Sequence, residues 1–102
     1  MINYKFIGWC TEDNHDKVWV CIQLAGDDWK GDYAVIWGRR GKKLQYKIHT
    51  NTSEWEMDKL ADTKRNKGYD SVSKSKLAII SPEFENDLEA TAMWATLQVQ
   101  HV

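Results

Sequence analysis

Proline, cysteine and glycine are scarce in this chain, which holds one Pro, two Cys and six Gly among 102 residues. So little proline, with 42% hydrophobic residues, excludes a proline-rich disordered segment and describes an ordered globule with a single core. Two cysteines are too few for a disulfide framework. Cys10 and Cys21 are read as buried free thiols rather than a hairpin disulfide. With His15 between them they match neither CxxC nor HExxH spacing, so no metal is expected. No stretch approaches the ~20 apolar residues of a membrane span, and "MINYKFIGWC" lacks the apolar core of a signal peptide. The expectation is a cytoplasmic protein with no membrane partner.

Catalytic signatures are equally sparse. There is no P-loop and no GxGxxG, and "GRRGKK" at 38–43 follows one strand pattern but opens another rather than a helix. His15, His49 and His101 fall in unrelated segments, and Asp27 and Asp28 sit in a polar loop. Nothing converges on a nucleophile or a carboxylate pair, so neither an enzyme nor a cofactor is expected.

What the chain does have is segregated charge. Residues 1–36 carry three Lys against six acids, a net of −3; residues 37–76 carry eleven Lys and Arg against five acids, a net of +6; residues 77–102 carry four acids and no Lys or Arg, a net of −4. The overall −1 conceals a basic middle. A basic face is the electrostatic signature of nucleic acid, with a solvated lysine-rich surface as the alternative.

Periodicity places the elements. "INYKFIGWC" alternates with Ile2, Tyr4, Phe6 and Cys10 on one face, and "KVWVCIQLA" alternates Val18, Val20, Ile22 and Leu24. "YAVIWG" has Tyr33, Val35 and Trp37 in phase, and "LQYKIH" has Leu44, Tyr46 and Ile48. These four make an antiparallel meander with one buried face. "SEWE" at 53–56 is a capping box, Met57, Leu60, Ala61 and Lys64 follow at helical spacing, and Gly68 stands at the C-cap. That helix is expected to cross the sheet. "YDSV" is expected to add a strand to it and "KLAII" to form another short strand. Residues 81–99 read as a second helix with Ser81 as N-cap, Pro82 in its first turn, and Phe84, Leu88, Ala92 and Ala95 buried. The class is α+β, an antiparallel sheet of four to five strands with one helix across it and a C-terminal helix.

The close of the third strand carries the functional signal. Gly38 lets the backbone bend and turn Trp37 or Arg39 out of the alternation. An exposed indole beside a guanidinium suits a nucleotide, the ring stacking and the fork binding phosphate. The other reading keeps Trp37 in the core with Val35, and the residues alone favour it.

"WGRRGKKLQYKI", followed by a helix and then "NKGYDSV", resembles the WGR domain of DNA-dependent poly(ADP-ribose) polymerases and of small bacterial proteins. The likeness spans residues 2–72 in order and leaves 73–102 as an extension, a strand and an acidic helix, packed on the same domain. It implies binding of DNA ends, nicks or single-stranded flaps, with Trp37 and Arg39 contacting a terminal nucleotide and Gly38 between them. The likeness does not extend to an ADP-ribosyltransferase domain, so that activity is not expected to transfer. Arg40, Lys42, Lys43, Lys47 and Lys67 join the expected interface on charge alone. A second reading is a protein-interaction module, drawn from six Trp and the acidic segments, with Trp29 as its exposed contact.

Overall fold

In the computed structural model of the chain, residues 3–11, 15–27, 29–39, 42–80 and 82–100 are described. The elements run β1 (Asn3–Cys10), β2 (Lys17–Gly26), β3 (Gly31–Arg39), β4 (Gln45–Thr52), α1 (Glu54–Asn66), β5 (Asp70–Ser71), α2 (Lys74–Ile80) and α3 (Pro82–Gln100). The strands form one five-stranded antiparallel sheet in the order β4-β3-β2-β1-β5. The meander and the added fifth strand are as the alternation predicts.

Both faces of this sheet are buried, not one. Strand β2 is apolar in both phases: Val18, Val20 and Ile22 point one way, Trp19 and Cys21 the other, and β3 repeats this with Ala34 and Ile36 against Tyr33 and Val35. Side chains at paired positions share a face, so the register separates two cores. Phe6, Trp19, Cys21, Tyr33 and Val35 pack with Met57 and Ala61 of α1. Ile7, Val18, Val20, Ile22, Ala34 and Ile36 pack with Leu77 of α2 and with Ala92 and Ala95 of α3. The C-terminal helices therefore cover the face that α1 does not.

Two local readings change with it. The pairing slips between Tyr4 and Phe6, where Lys5 is an extra residue, and the bulge reverses the phase of β1. Tyr4 thus joins the α2/α3 core while Phe6 joins the α1 core. The segment "KLAII" is helix rather than strand, because the Ser73 hydroxyl accepts from the Lys76 amide at 3.0 Å and starts a turn that drives Leu77 into the core. Ile2 and Ser81 lie outside the described residues, as do the side chains of Phe84 and Leu88.

Helix α1 forms as its ends specify. The Ser53 hydroxyl accepts from the Glu56 amide and the Glu56 carboxylate accepts from the Ser53 amide, each at 3.2 Å. At the other end Gly68 takes φ 100° and donates to the Arg65 carbonyl, while the Tyr69 amide donates to the Lys64 carbonyl. Lys5 of β1 pairs with Glu54 at 3.7 Å, which fixes the start of α1 over the end of the sheet where Gly31 meets Thr52.

Truncating Leu77 to Ala is expected to cost about 2–5 kcal/mol. Because Leu77 shares a core with β2 and β3, urea unfolding followed by tryptophan fluorescence and by circular dichroism should show one shifted transition. Loss of α2 and α3 alone, ahead of the sheet, would contradict the shared core.

Candidate nucleic-acid interface

Alternation along β3 puts Trp37 on the α1 face, two residues beyond Val35. Its cross-strand partner on β2 is Trp19, and on β4 Val35 faces Lys47 and Tyr33 faces His49. The last turn of α1 brings Lys64 over this area, and the Gly68 turn brings Tyr69. These elements leave a hollow of about 220 Å³ lined by Trp19, Val35, Trp37, Lys47, His49, Lys64 and Tyr69. Trp37 is half-buried, so it packs on the core through one part of the indole and lines the hollow with another. The Lys64 ammonium lies 5.8 Å from the centre of the Trp19 ring, and that of Lys17 lies 5.6 Å from the Tyr69 ring. Both fall near the outer range of cation–π contact.

The hollow is cationic. Burial, then the neighbouring charges of Lys67 and Lys17, hold the Lys64 ammonium below its usual range. His49 is also lowered, first by burial and then by Lys47. Among the described residues no carboxylate forms an ion pair with Lys17, Lys47 or Lys64. Asp16, next to Lys17 in sequence, accepts from the Trp9 indole nitrogen at 2.9 Å, and Trp9 packs with the opposite core. Asp62 is engaged by Arg65 on the surface of α1. An anion entering here would relieve repulsion among cations without displacing an ion-pair partner from among the described residues.

The other expected residues do not line this hollow. Arg39 is exposed at the end of β3, opposite Lys17 and on the same face as Trp37. Gly38 does not turn its neighbours out of register: it remains paired with Val18, and Trp37 and Arg39 keep the alternation. Its φ of 156° is a backbone conformation that residues with a side chain rarely adopt, and a Cβ there would also lie 2.8 Å from Leu44 Cδ2 and 3.3 Å from Leu44 Cα. Lys67 follows α1 and is exposed, near enough to Lys64 to depress it. Lys42 and Lys43 are exposed in the β3–β4 connection, where the Lys42 amide donates to the Arg39 carbonyl at 3.1 Å. Arg40 lies outside the described residues.

No family model, curated protein or solved structure matches the chain. Function is therefore read from the site itself.

Lys17, Trp19, His49, Lys64 and Tyr69 are absent from the sequence-based interface. The period-2 pattern did hold one clue: Lys17, Trp19 and Cys21 form the second phase of β2, and a Trp in that phase marks a face to be covered. Cys21 offers no nucleophile, because burial foremost, with Asp58 adding and Lys5 opposing, pushes its thiol up to about 12. Both cysteines are free and buried. Among the described residues no His, Cys, Asp and Glu group could hold a metal, and no helix is long and apolar enough to cross a membrane.

Trp29 stands at the opposite end of the sheet. It is 85% exposed in a turn that Asp27 fixes, its carboxylate accepting from the Trp29 and Lys30 amides at 2.9 and 3.0 Å. Those two bonds hold the Asp27 carboxyl below its ordinary value. Trp55, 63% exposed, lies in the first turn of α1 near the same end, with the Lys59 ammonium 4.0 Å from its ring centre.

Replacing Gly38 with Ala is expected to destabilise the fold by about 1–3 kcal/mol, chiefly through backbone strain at its φ of 156°. Urea midpoints of Gly38→Ala, Leu44→Ala and the double variant should show additive losses; substantial rescue by Leu44→Ala would place the strain at the Leu44 contact instead.

Proposed function

We propose that the protein is a nucleic-acid-binding module that holds an exposed nucleotide in the hollow between β3, β4 and α1. Trp37 supplies the stacking surface with Trp19 and Tyr69 around it, and Lys47 and Lys64 neutralise the adjoining phosphates. Arg39 and Lys17 continue the cationic rim, and Lys67 adds to its field. The observation that carries the reading is the hollow itself, with three aromatic rings, two lysines and a histidine around about 220 Å³. This is smaller than the roughly 300–1,000 Å³ typical of pockets for drug-sized ligands and suits one base or sugar. The likeness of residues 2–72 to the WGR domain adds the expectation that the nucleotide belongs to a DNA end, nick or flap. Binding rather than catalysis is the role proposed.

Affinity for a single strand should fall with salt, with a log–log slope of about −3 if four phosphates are neutralised. Trp37→Ala should weaken binding by about 1–3 kcal/mol, roughly 5- to 150-fold, at an unchanged fold. Fluorescence anisotropy at several salt concentrations measures both. Equal affinity in wild type and Trp37→Ala would sink the proposal.

Acid should strengthen binding. The His49 pKa is depressed in the free protein below its ordinary 6.5, and a phosphate beside the ring raises it again, so the complex takes up a proton. Affinity then rises as pH falls through the raised value of the complex toward the depressed value of the free protein. The linkage to folding has the opposite sign: the contribution of neutral His49 is present above 6.5 and lost as pH falls through the depressed value. His49→Gln should flatten the pH profile of binding, and an unchanged profile would remove His49 from the site.

A second reading has its own support at the other end of the sheet, where Trp29 and Trp55 are exposed. There the protein would bind a protein partner, with Trp29 as the anchor. A partner captured from lysate that survives nuclease and is lost in Trp29→Ala would favour it.

A further inference from the structure

Strand β4 ends the sheet in the order β4-β3-β2-β1-β5, and no strand pairs with its outer side among the described residues. Consecutive residues on it face opposite ways. Lys47, paired with Val35, belongs to the α1 face, whereas Tyr46, paired with Ile36, belongs to the α2/α3 face. A hollow opens on each side of this one strand. The first is the hollow of Trp37. The second, about 570 Å³, lies between β4 and α3 and is lined by Lys43, Leu44, Tyr46, Ala90, Thr91 and Trp94.

This second hollow also presents aromatic surface beside cations. Trp94 is 55% exposed and Tyr46 half-buried, and the exposed Lys42 and Lys43 stand where the chain enters β4. On α3 the lining residues Ala90, Thr91 and Trp94 share one helical stripe with Asp87, which borders Lys42 and Lys43 in an adjoining hollow of about 340 Å³. Cations therefore lie on the strand side of the groove and a carboxylate on the helix side.

We infer that the ligand is a single-stranded nucleic acid that passes over the β4 edge, with one base on Trp37 and a later base against Trp94 and Tyr46. This rests on the nucleic-acid reading of the first hollow and narrows its DNA end, nick or flap to the single-stranded case. The phosphates between the two bases follow Lys47, Lys43 and Lys42, on the side away from α3. A duplex fits neither requirement. Its bases are already stacked and paired, and with a persistence length of about 150 base pairs it does not fold around a single strand of sheet. Its second backbone would also meet Asp87 on a helix segment without Lys or Arg. A single strand has free backbone torsions and open π-faces, which is what two separated stacking sites need.

The test uses the full chain with fluorescein-labelled dT12, unlabelled dT2 as competitor and a blunt 12-base-pair duplex. The expected results are dT12 binding at least about tenfold tighter than the duplex, and a loss of roughly 5- to 150-fold for dT12 in Trp94→Ala. The dinucleotide, occupying one hollow, should keep its affinity in Trp94→Ala and lose it in Trp37→Ala. Trp94→Leu keeps apolar packing without a π-face and should behave like Trp94→Ala, while Trp94→Phe should stay within about threefold of wild type. Circular dichroism and sedimentation velocity accompany each variant. The inference is overturned if Trp37→Ala weakens dT12 but Trp94→Ala and Trp94→Leu do not, or if the duplex binds as tightly as dT12. It is also overturned if Trp94→Ala only converts a dimer to a monomer, which would assign Trp94, with exposed Met93 and Leu97, to contact between copies. No effect of Trp37→Ala on dT12 would instead remove the underlying nucleic-acid reading.

Discussion

Burial of β2 and β3 on both faces is the constraint from which the rest of the arrangement follows. Val18, Val20, Ile22 and Ile36 face one way, and Trp19, Cys21, Tyr33 and Val35 the other. Each fully buried large apolar side chain among them contributes on the order of 1.5–3 kcal/mol, so neither face can be left to water. Two separate covers are needed, and the chain supplies α1 for one and the α2–α3 pair for the other. Neither cover reaches evenly across the sheet. Helix α1 is anchored at its start through Lys5 and Glu54 and delivers its basic last turn near Trp19. What α1 leaves uncovered is the strip between Trp37 and His49, and there the hollow forms.

The hollow also shows how one tryptophan can be both packed on the core and open to its surroundings, two states that look exclusive in sequence. Trp37 is in phase with Val35, which gives it a core contact, and it is near the end of its strand, which denies it complete cover. Partial burial on a rigid strand holds the indole in place, which on the nucleic-acid reading would lower the ordering cost of stacking. Lys64 is held in the same way. Its charge is maintained against desolvation and against Lys67 and Lys17, so part of the electrostatic cost of assembling a cation site is already met by the fold.

Local rules carried the sequence reading as far as they reach. Ser53 and Glu56 are three residues apart and bond each other, and Gly68 takes the left-handed backbone its position calls for; both need only neighbours along the chain. Errors arose where distant partners decide. Lys5 is extra only with respect to β2, so the reversal of phase between Tyr4 and Phe6 has no local mark. "KLAII" is too short for period to separate strand from helix, and Ser73 settled the matter as a cap. Gly38 was legible as special, but its φ of 156° and the approach of Leu44, which lies just before β4, are set by how the chain crosses between the two strands. The site follows the same division. Trp37 and Lys47 could be picked out from the triplet and the charge, whereas Trp19, Lys64 and Tyr69 join them only through pairing of β2 with β3 and the crossing of α1.

The pairing of Gly31 with Thr52 has an effect that reaches beyond contact distance. It gathers Asp27, Glu54 and Glu56 toward one end of the sheet, beside Lys5 and Lys30, while the pairing of Lys17 with Arg39 gathers cations, Lys64 among them, toward the other, beside Asp16 and Asp70. With a net charge of only −1, the protein exerts little overall pull on a polyanion. On the nucleic-acid reading, that unevenness would turn a nearby polyanion toward the Lys17–Arg39 end within roughly the 8 Å Debye length of physiological salt, orienting it more than attracting it.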